Sequence, residues 1–178
     1  MDKSTEKKTG QHDEAVPGQR DYLRNSDADR ILAELCSNPK VQEMKQYIQH
    51  GKVCTYDHCK AVARMCSKIN RNFRLNADEK ILLRSAMLHD FYLYDWHDDD
   101  GGSHDWHGFI HAERAADNAR RYLNVSDEEI KVIRSHMWPL NMTKVPSSRE
   151  AWILWMADKA VSLHETLFQR KEGGNGGL

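Results

Sequence analysis

The chain has 178 residues, with 26 Lys and Arg against 27 Asp and Glu and a formal net charge of −1 at pH 7. That balance excludes the broad electropositive surface that a nucleic-acid polymer requires, and the length suffices for one domain without disulfide or metal staples. The four cysteines, Cys36, Cys54, Cys59 and Cys66, form no CxxC or zinc-finger spacing and read as reduced, mostly buried thiols. With no apolar run long enough for a bilayer and no signal-like apolar stretch at the N-terminus, the expectation is a cytoplasmic protein without a membrane partner.

Residues 1 to about 25 are polar, carry Pro17 and Gly18, and are expected to form a flexible tail, as is the Gly-rich end from 173 to 178. Ser26 is positioned to cap a helix through Ile31, Leu32 and Leu35. Asn38 followed by Pro39 predicts a second helix through Val41, Met44 and Ile48, ended by Gly51. Thr55 opens a helix to about Asn72 with Val62, Met65 and Ile69 on one stripe, and Asn76 opens the next, through Ile81, Leu82, Leu83 and Leu88. After a polar loop over residues 95–103, a helix is expected from about His107 to Leu123. The Ser126/Glu129 and Ser147/Glu150 spacings each match a capping box, the second opening a long apolar helix. Nothing shows sustained period-two alternation, so the reading is all-α: a single compact bundle of about seven helices spanning 26–172.

Several ionisable residues fall where helical periodicity points inward, and buried polar groups need partners. His58 shares the stripe of Val62, Met65 and Ile69; His89, followed by Asp90, shares a face with Leu82 and Ala86; His111 aligns with Ala115 and Ala119. His136 ends the helix of Val132 and Ile133, and Asp158 lies with Leu154 and Val161 in the most apolar helix. Each histidine alone has a plain reading as a hydrogen-bonded core residue, and Asp158 could pair with Arg84, Arg134 or Lys159. One divalent cation site would satisfy them all together. His107 lies one turn before His111 and is an alternative ligand. Residues 95–107 read as a solvated loop or a lid; Tyr56, Trp138 and Pro139 read as pocket walls or packing, and Trp152 and Trp155 as packing.

The ordered set of His58, His89-Asp90 some thirty residues on, and Asp158 within Ala-Asp-Lys resembles the HD-domain metal-dependent phosphohydrolases. The contexts Tyr56-Asp57-His58-Cys59-Lys60-Ala61 and Ala86-Met87-Leu88-His89-Asp90 resemble the family's too, over roughly Cys54 to Glu165. The resemblance implies a helical HD fold and one metal on His58, His89, Asp90 and Asp158. His111 and His136 fall where the two-metal members place further ligands, implying a second ion bridged by Asp90. The motif after His-Asp is Phe91-Tyr92, without the Gly-Lys or Gly-Tyr-Pro features of the cyclic-dinucleotide branch, which argues against that substrate.

Imidazole and carboxylate donors suit Mn, Fe, Co, Ni or Zn. The implied activity is cleavage of a small phosphorylated substrate, a phosphomonoester or phosphodiester such as a nucleotide, by a metal-activated hydroxide, with Asp90 at the centre and Lys159 either neutralising a phosphoryl oxygen or pairing with a carboxylate. Two alternatives stand beside it: the di-iron oxygenase branch of the same superfamily, which uses a similar His and Asp set, and a non-catalytic domain that binds a metal or nucleotide.

Overall fold

The computed structural model describes residues 17–94 and 107–173. The expected tail up to residue 16, the acidic loop 95–106 and the residues from 174 onward lie outside the described residues. Seven α-helices make up nearly all of the rest, in the all-α architecture the periodicity implies.

Helix α1 (Pro17–Ser37) begins well before Ser26, which therefore sits inside the helix and is not its cap. Pro17 occupies the first helical turn, where its missing N–H is no loss. Once Leu35 is buried in the core, extending the helix back through residues with ordinary helix propensity adds little cost, so polarity was a poor guide here. The next segment also departs from expectation. Asn38 does cap α2 (Pro39–Gln42), accepting from Lys40 N at 2.9 Å, but the helix tightens into a 3-10 turn and the chain then becomes extended. Ile48 belongs to strand β1 (Ile48–His50), which pairs antiparallel with β2 (Val53–Cys54) around Gly51 at φ 55°. Strands this short carry no readable alternation.

Helix α3 (Thr55–Asn72) runs as expected. Helix α4 (Glu79–Leu88) is capped by Asp78, whose carboxylate accepts from Ile81 N at 3.0 Å. Asn76 instead takes a left-handed conformation, φ 53°, in the preceding turn, a backbone region asparagine tolerates better than most residues. Helix α5 spans His107–Tyr122, and α6 (Asp127–Ser135) carries the full Ser126/Glu129 capping box. Helix α7 (Arg149–Gly173) is capped one residue later than the second spacing suggested. Ser148 Oγ accepts from Ala151 N at 3.2 Å, while Glu150 accepts from Asp78 N at 2.8 Å and ties the start of α7 to that of α4. No helix among the described residues is long and apolar enough to cross a membrane.

Two apolar clusters make the core. In one, Val62, Ala63 and Cys66 of α3 pack with Leu82, Leu83 and Ala86 of α4 and Ile153, Leu154 and Ala157 of α7. In the other, Leu35, Val41, Met44 and Cys59 meet Met87, Leu88 and Phe91, together with Ala115, Ala116 and Ala119 of α5 and Ile130 and Ile133 of α6. Helix α4 supplies both clusters and is apolar on nearly every side, as a helix at the centre of a bundle must be. The alanines of α5 let it approach closely. Cys59 and Cys66 are buried, whereas Cys36 and Cys54 are only half-buried, and all four are free thiols. Tyr56 is buried, and Trp138, Trp152 and Trp155 meet edge to face with centroids 5.6 to 5.8 Å apart, so these aromatics pack; Pro139 beside them is exposed.

Replacing Ser126 by Ala removes one half of a reciprocal cap and is expected to lower stability by about 1 kcal/mol, a fall in Tm of roughly 2–4 °C for a chain of this size, read by thermal melting.

Candidate metal centre

Six buried ionisable side chains from five elements converge at one point. His58 comes from the first turns of α3, His89 and Asp90 from the end of α4, His111 from α5, His136 from the end of α6, and Asp158 from the middle of α7. None is more than 5% exposed.

Local hydrogen bonds determine which ring nitrogen each histidine turns inward. His89 follows the last residue of α4, and its Nδ1 lies 2.8 Å from the carbonyl oxygen of Ala86. His136 holds the same place on α6, with Nδ1 2.7 Å from the carbonyl of Ile133. A carbonyl only accepts, so in both rings Nδ1 carries the proton and donates it, which satisfies a helix-end acceptor and leaves Nε2 facing the site. His58 Nδ1 is 2.9 Å from Glu165 Oε2, a carboxylate on α7 that performs the same service.

The inward nitrogens sort into two pairs about Asp90. His89 Nε2 lies 3.2 Å and His58 Nε2 3.8 Å from Asp90 Oδ2, and both approach Asp158 Oδ1, at 3.7 and 3.4 Å. His111 Nε2 and His136 Nε2 each lie 3.5 Å from the other oxygen, Oδ1, and 3.0 Å from each other. The donor atoms of His58, His89 and Asp158 form one group and those of Asp90, His111 and His136 another, each with its atoms within 4.8 Å of one another. Among the described residues, His89 Nε2 and Asp90 Oδ1 are buried without any hydrogen-bond partner. Such orphaned atoms are expensive in a core, and a divalent cation with nitrogen and oxygen ligands answers both, so the residues present fit one. Cys59 Sγ, 3.6 Å from His89 Nδ1, belongs to a third grouping with His89 and Asp90, but that nitrogen is already engaged by Ala86.

Burial opposes charge on Asp90, yet the charge of His89 and the contact with His136 outweigh it and hold the carboxyl well below its usual range. Asp158 behaves alike, with burial overcome by His58 and His89. His89 is raised well above an ordinary histidine: burial lowers it, and Asp90, Cys59 and Asp158 more than compensate.

Of the cations considered as partners for Asp158, only Lys159 reaches it, at 2.8 Å, with Ser162 Oγ donating to the other oxygen at 3.2 Å. Arg84 is engaged by Glu129, and Arg134 by Glu113 at 2.6 Å. Lys159 is 43% exposed, at the rim. The side chain of His107 lies outside the described residues, so His111 alone is placed. Glu165 was missed in the sequence although it stands seven residues after Asp158, on the same face of α7. Gln49, also missed, donates from Nε2 to Asp90 Oδ2 at 2.6 Å.

The family model described as HD domain matches residues 55–162. The chain belongs to the HD-domain family. No curated protein and no solved structure matches it in the same comparisons. The HD match opens at the first residue of α3 and closes within α7, so it includes all six converging residues and leaves out Gln49 and Glu165.

For the ion-free protein, the raised His89 contributes stability below the ordinary histidine range that is lost as pH rises through its own higher value. The lowered Asp90 and Asp158 contribute above the ordinary carboxylate range and lose that as pH falls through their lower values. Chelator-treated protein is therefore expected to melt highest between these limits. Divalent-cation affinity should rise with pH up through the higher value of His89, with proton release seen by calorimetry in buffers of different ionisation enthalpy. Affinity that does not vary with pH would show that the imidazoles are already neutral before the cation arrives.

Proposed function

We propose that this HD-domain protein is a metal-dependent phosphohydrolase acting on a small phosphomonoester or phosphodiester, a nucleotide among them. The observation that carries the proposal is Asp90 itself, whose two oxygens face two separate imidazole pairs, an arrangement suited to a carboxylate shared by two cations. His58, His89, Asp158 and Asp90 Oδ2 would hold one ion; Asp90 Oδ1, His111 and His136 the other. Both ions would come from the series Mn, Fe, Co, Ni and Zn. Such ions supply Lewis acidity toward a phosphoryl oxygen and toward water, the two requirements of phosphoester hydrolysis without a nucleophilic side chain.

The chain's own residues do the rest. Asp90 and Asp158 stay anionic, so the cage offers two carboxylates to a cation that displaces the imidazole protons. The Nδ1 tethers aim the imidazoles in advance, so little ordering remains to be done on binding. Lys159 pairs with Asp158 at 2.8 Å and is still exposed, and would neutralise a non-bridging phosphoryl oxygen. The near-neutral net charge favours a small substrate over a polymer.

A screen of nucleotides and simple phosphoesters with added Mn, Co or Ni is expected to show cation-dependent release of phosphate or alcohol. His89→Ala and Asp90→Ala should each reduce turnover at least about 100-fold while the fold persists, and Lys159→Ala should mainly raise KM. Metal-loaded, folded protein without turnover in that screen sinks the proposal. Two bound irons with a mixed-valent magnetic signal would move the reading to the oxidative branch, which the four-histidine, two-aspartate set also fits.

A further inference from the structure

Strand β1 is an oddity in a helical bundle, and its middle residue explains why it is there. Gln49 is buried, and its side chain reaches the core to donate from Nε2 to Asp90 Oδ2 at 2.6 Å. The orientation of this amide is settled by the carboxylate, which only accepts, so the NH2 group faces Asp90 and Oε1 faces away. Oε1 accepts from the Tyr92 hydroxyl in a short contact and lies 3.4 Å from Thr55 Oγ1, which is in turn 3.3 Å from the same tyrosine oxygen. With the NH2 group engaged by the carboxylate, Oε1 is left to accept from these hydroxyls. The strand that carries Gln49 is fastened by its pairing with β2 and, just outside it, by Thr55 N donating to Tyr47 O at 2.9 Å.

The terminal torsion of aspartate is broad, so a carboxylate does not keep its plane without help. In the ion-free protein the surrounding imidazoles help. Once their Nε2 lone pairs are turned to cations they donate nothing to Asp90, and Gln49 remains as a donor that cation binding does not consume. It is also neutral. A lysine in its place would compete with a cation for Asp90, whereas an amide orients the carboxylate and leaves its charge available.

We infer that Gln49, held by Tyr92 and Thr55, is the positioning residue that keeps Asp90 bridging, so that occupancy of the His111 and His136 side by a second ion depends on the β1–β2 hairpin. The inference rests on the two-ion reading above. It assigns this role to a residue outside the span matched by the HD-domain family. Without Gln49, Asp90 can rotate to serve the His58 and His89 side with both oxygens, and the second ion loses its shared ligand.

The test is titration of ion-free, full-length protein with Mn2+ or Co2+ by calorimetry, with bound metal counted by elemental analysis and folding followed by thermal melting. Wild type is expected to take two ions. Gln49→Leu is expected to take the first with near wild-type affinity and the second about 10–100-fold more weakly, the usual scale for loss of a residue supporting a ligand. Gln49→Glu puts a second carboxyl against Asp90 and, where ionised, cannot donate and should behave like Gln49→Leu or worse, while Gln49→Asn, if it reaches, should restore part of the loss. Tyr92→Phe frees the amide to turn, and should weaken the second step by a smaller factor. It keeps the ring's shape, so it carries the test if Gln49→Leu fails to fold. A general loss of stability would not change the ratio of the two dissociation constants. Two ions bound with an unchanged ratio in folded Gln49→Leu, or in Tyr92→Phe where Gln49→Leu does not fold, overturns the role of Gln49 alone; fewer than two ions in wild type overturns the two-ion reading and this inference with it.

Discussion

The structure turns on one buried carboxylate. Asp90 lies at the junction of α4 with the rest of the bundle, 2% exposed, and four imidazoles approach it in two pairs. A carboxylate in that position is tolerable only if its surroundings carry compensating charge, and removing one partner of such a set leaves another group stranded. The helices are therefore constrained by more than apolar packing: α3, α5, α6 and α7 must each deliver a particular atom to the end of α4.

Helix termini make that delivery cheap. His89 and His136 both stand at the residue following a helix, where the last carbonyls lack an intrahelical donor, and each uses its Nδ1 proton to satisfy one. The same bond that finishes the helix sets the ring's tautomer and points Nε2 inward, so local secondary structure and site chemistry share one interaction. The negative end of the helix dipole also favours positive charge there, whether on a protonated imidazole or on a cation that takes the proton's place.

Around this HD-domain centre, Glu165 and Gln49 both support the His58 and His89 side, the first through His58 and the second through Asp90 Oδ2. They reach the centre by different routes. Glu165 comes from the continuation of α7 beyond Asp158, whereas Gln49 comes from a hairpin inserted between α2 and α3. Each contacts a side chain that would hold a cation.

The inward stripes of α3, α4 and α7, the alanine face of α5 and the Ser126 capping box are consequences of local periodicity and local hydrogen bonding. They were legible because a helix repeats its face every three to four residues, and the same repeat marked His58, His89, His111, His136 and Asp158 as buried. The sequence by itself therefore determined the all-α class and nominated the six converging residues. It did not settle where α1 begins, that Asp78 and Ser148 are caps in place of Asn76 and Ser147, or that the chain from Ile48 is extended; Asp78, for one, is also tied through its N–H to Glu150, distant in sequence. Only the tertiary structure decided that Asp90 divides its two oxygens between two imidazole pairs and that Gln49, 41 residues away in the chain, donates to one of them. Spacing along one helix reports which way a side chain points, and carries no information about which atoms of other elements it will meet.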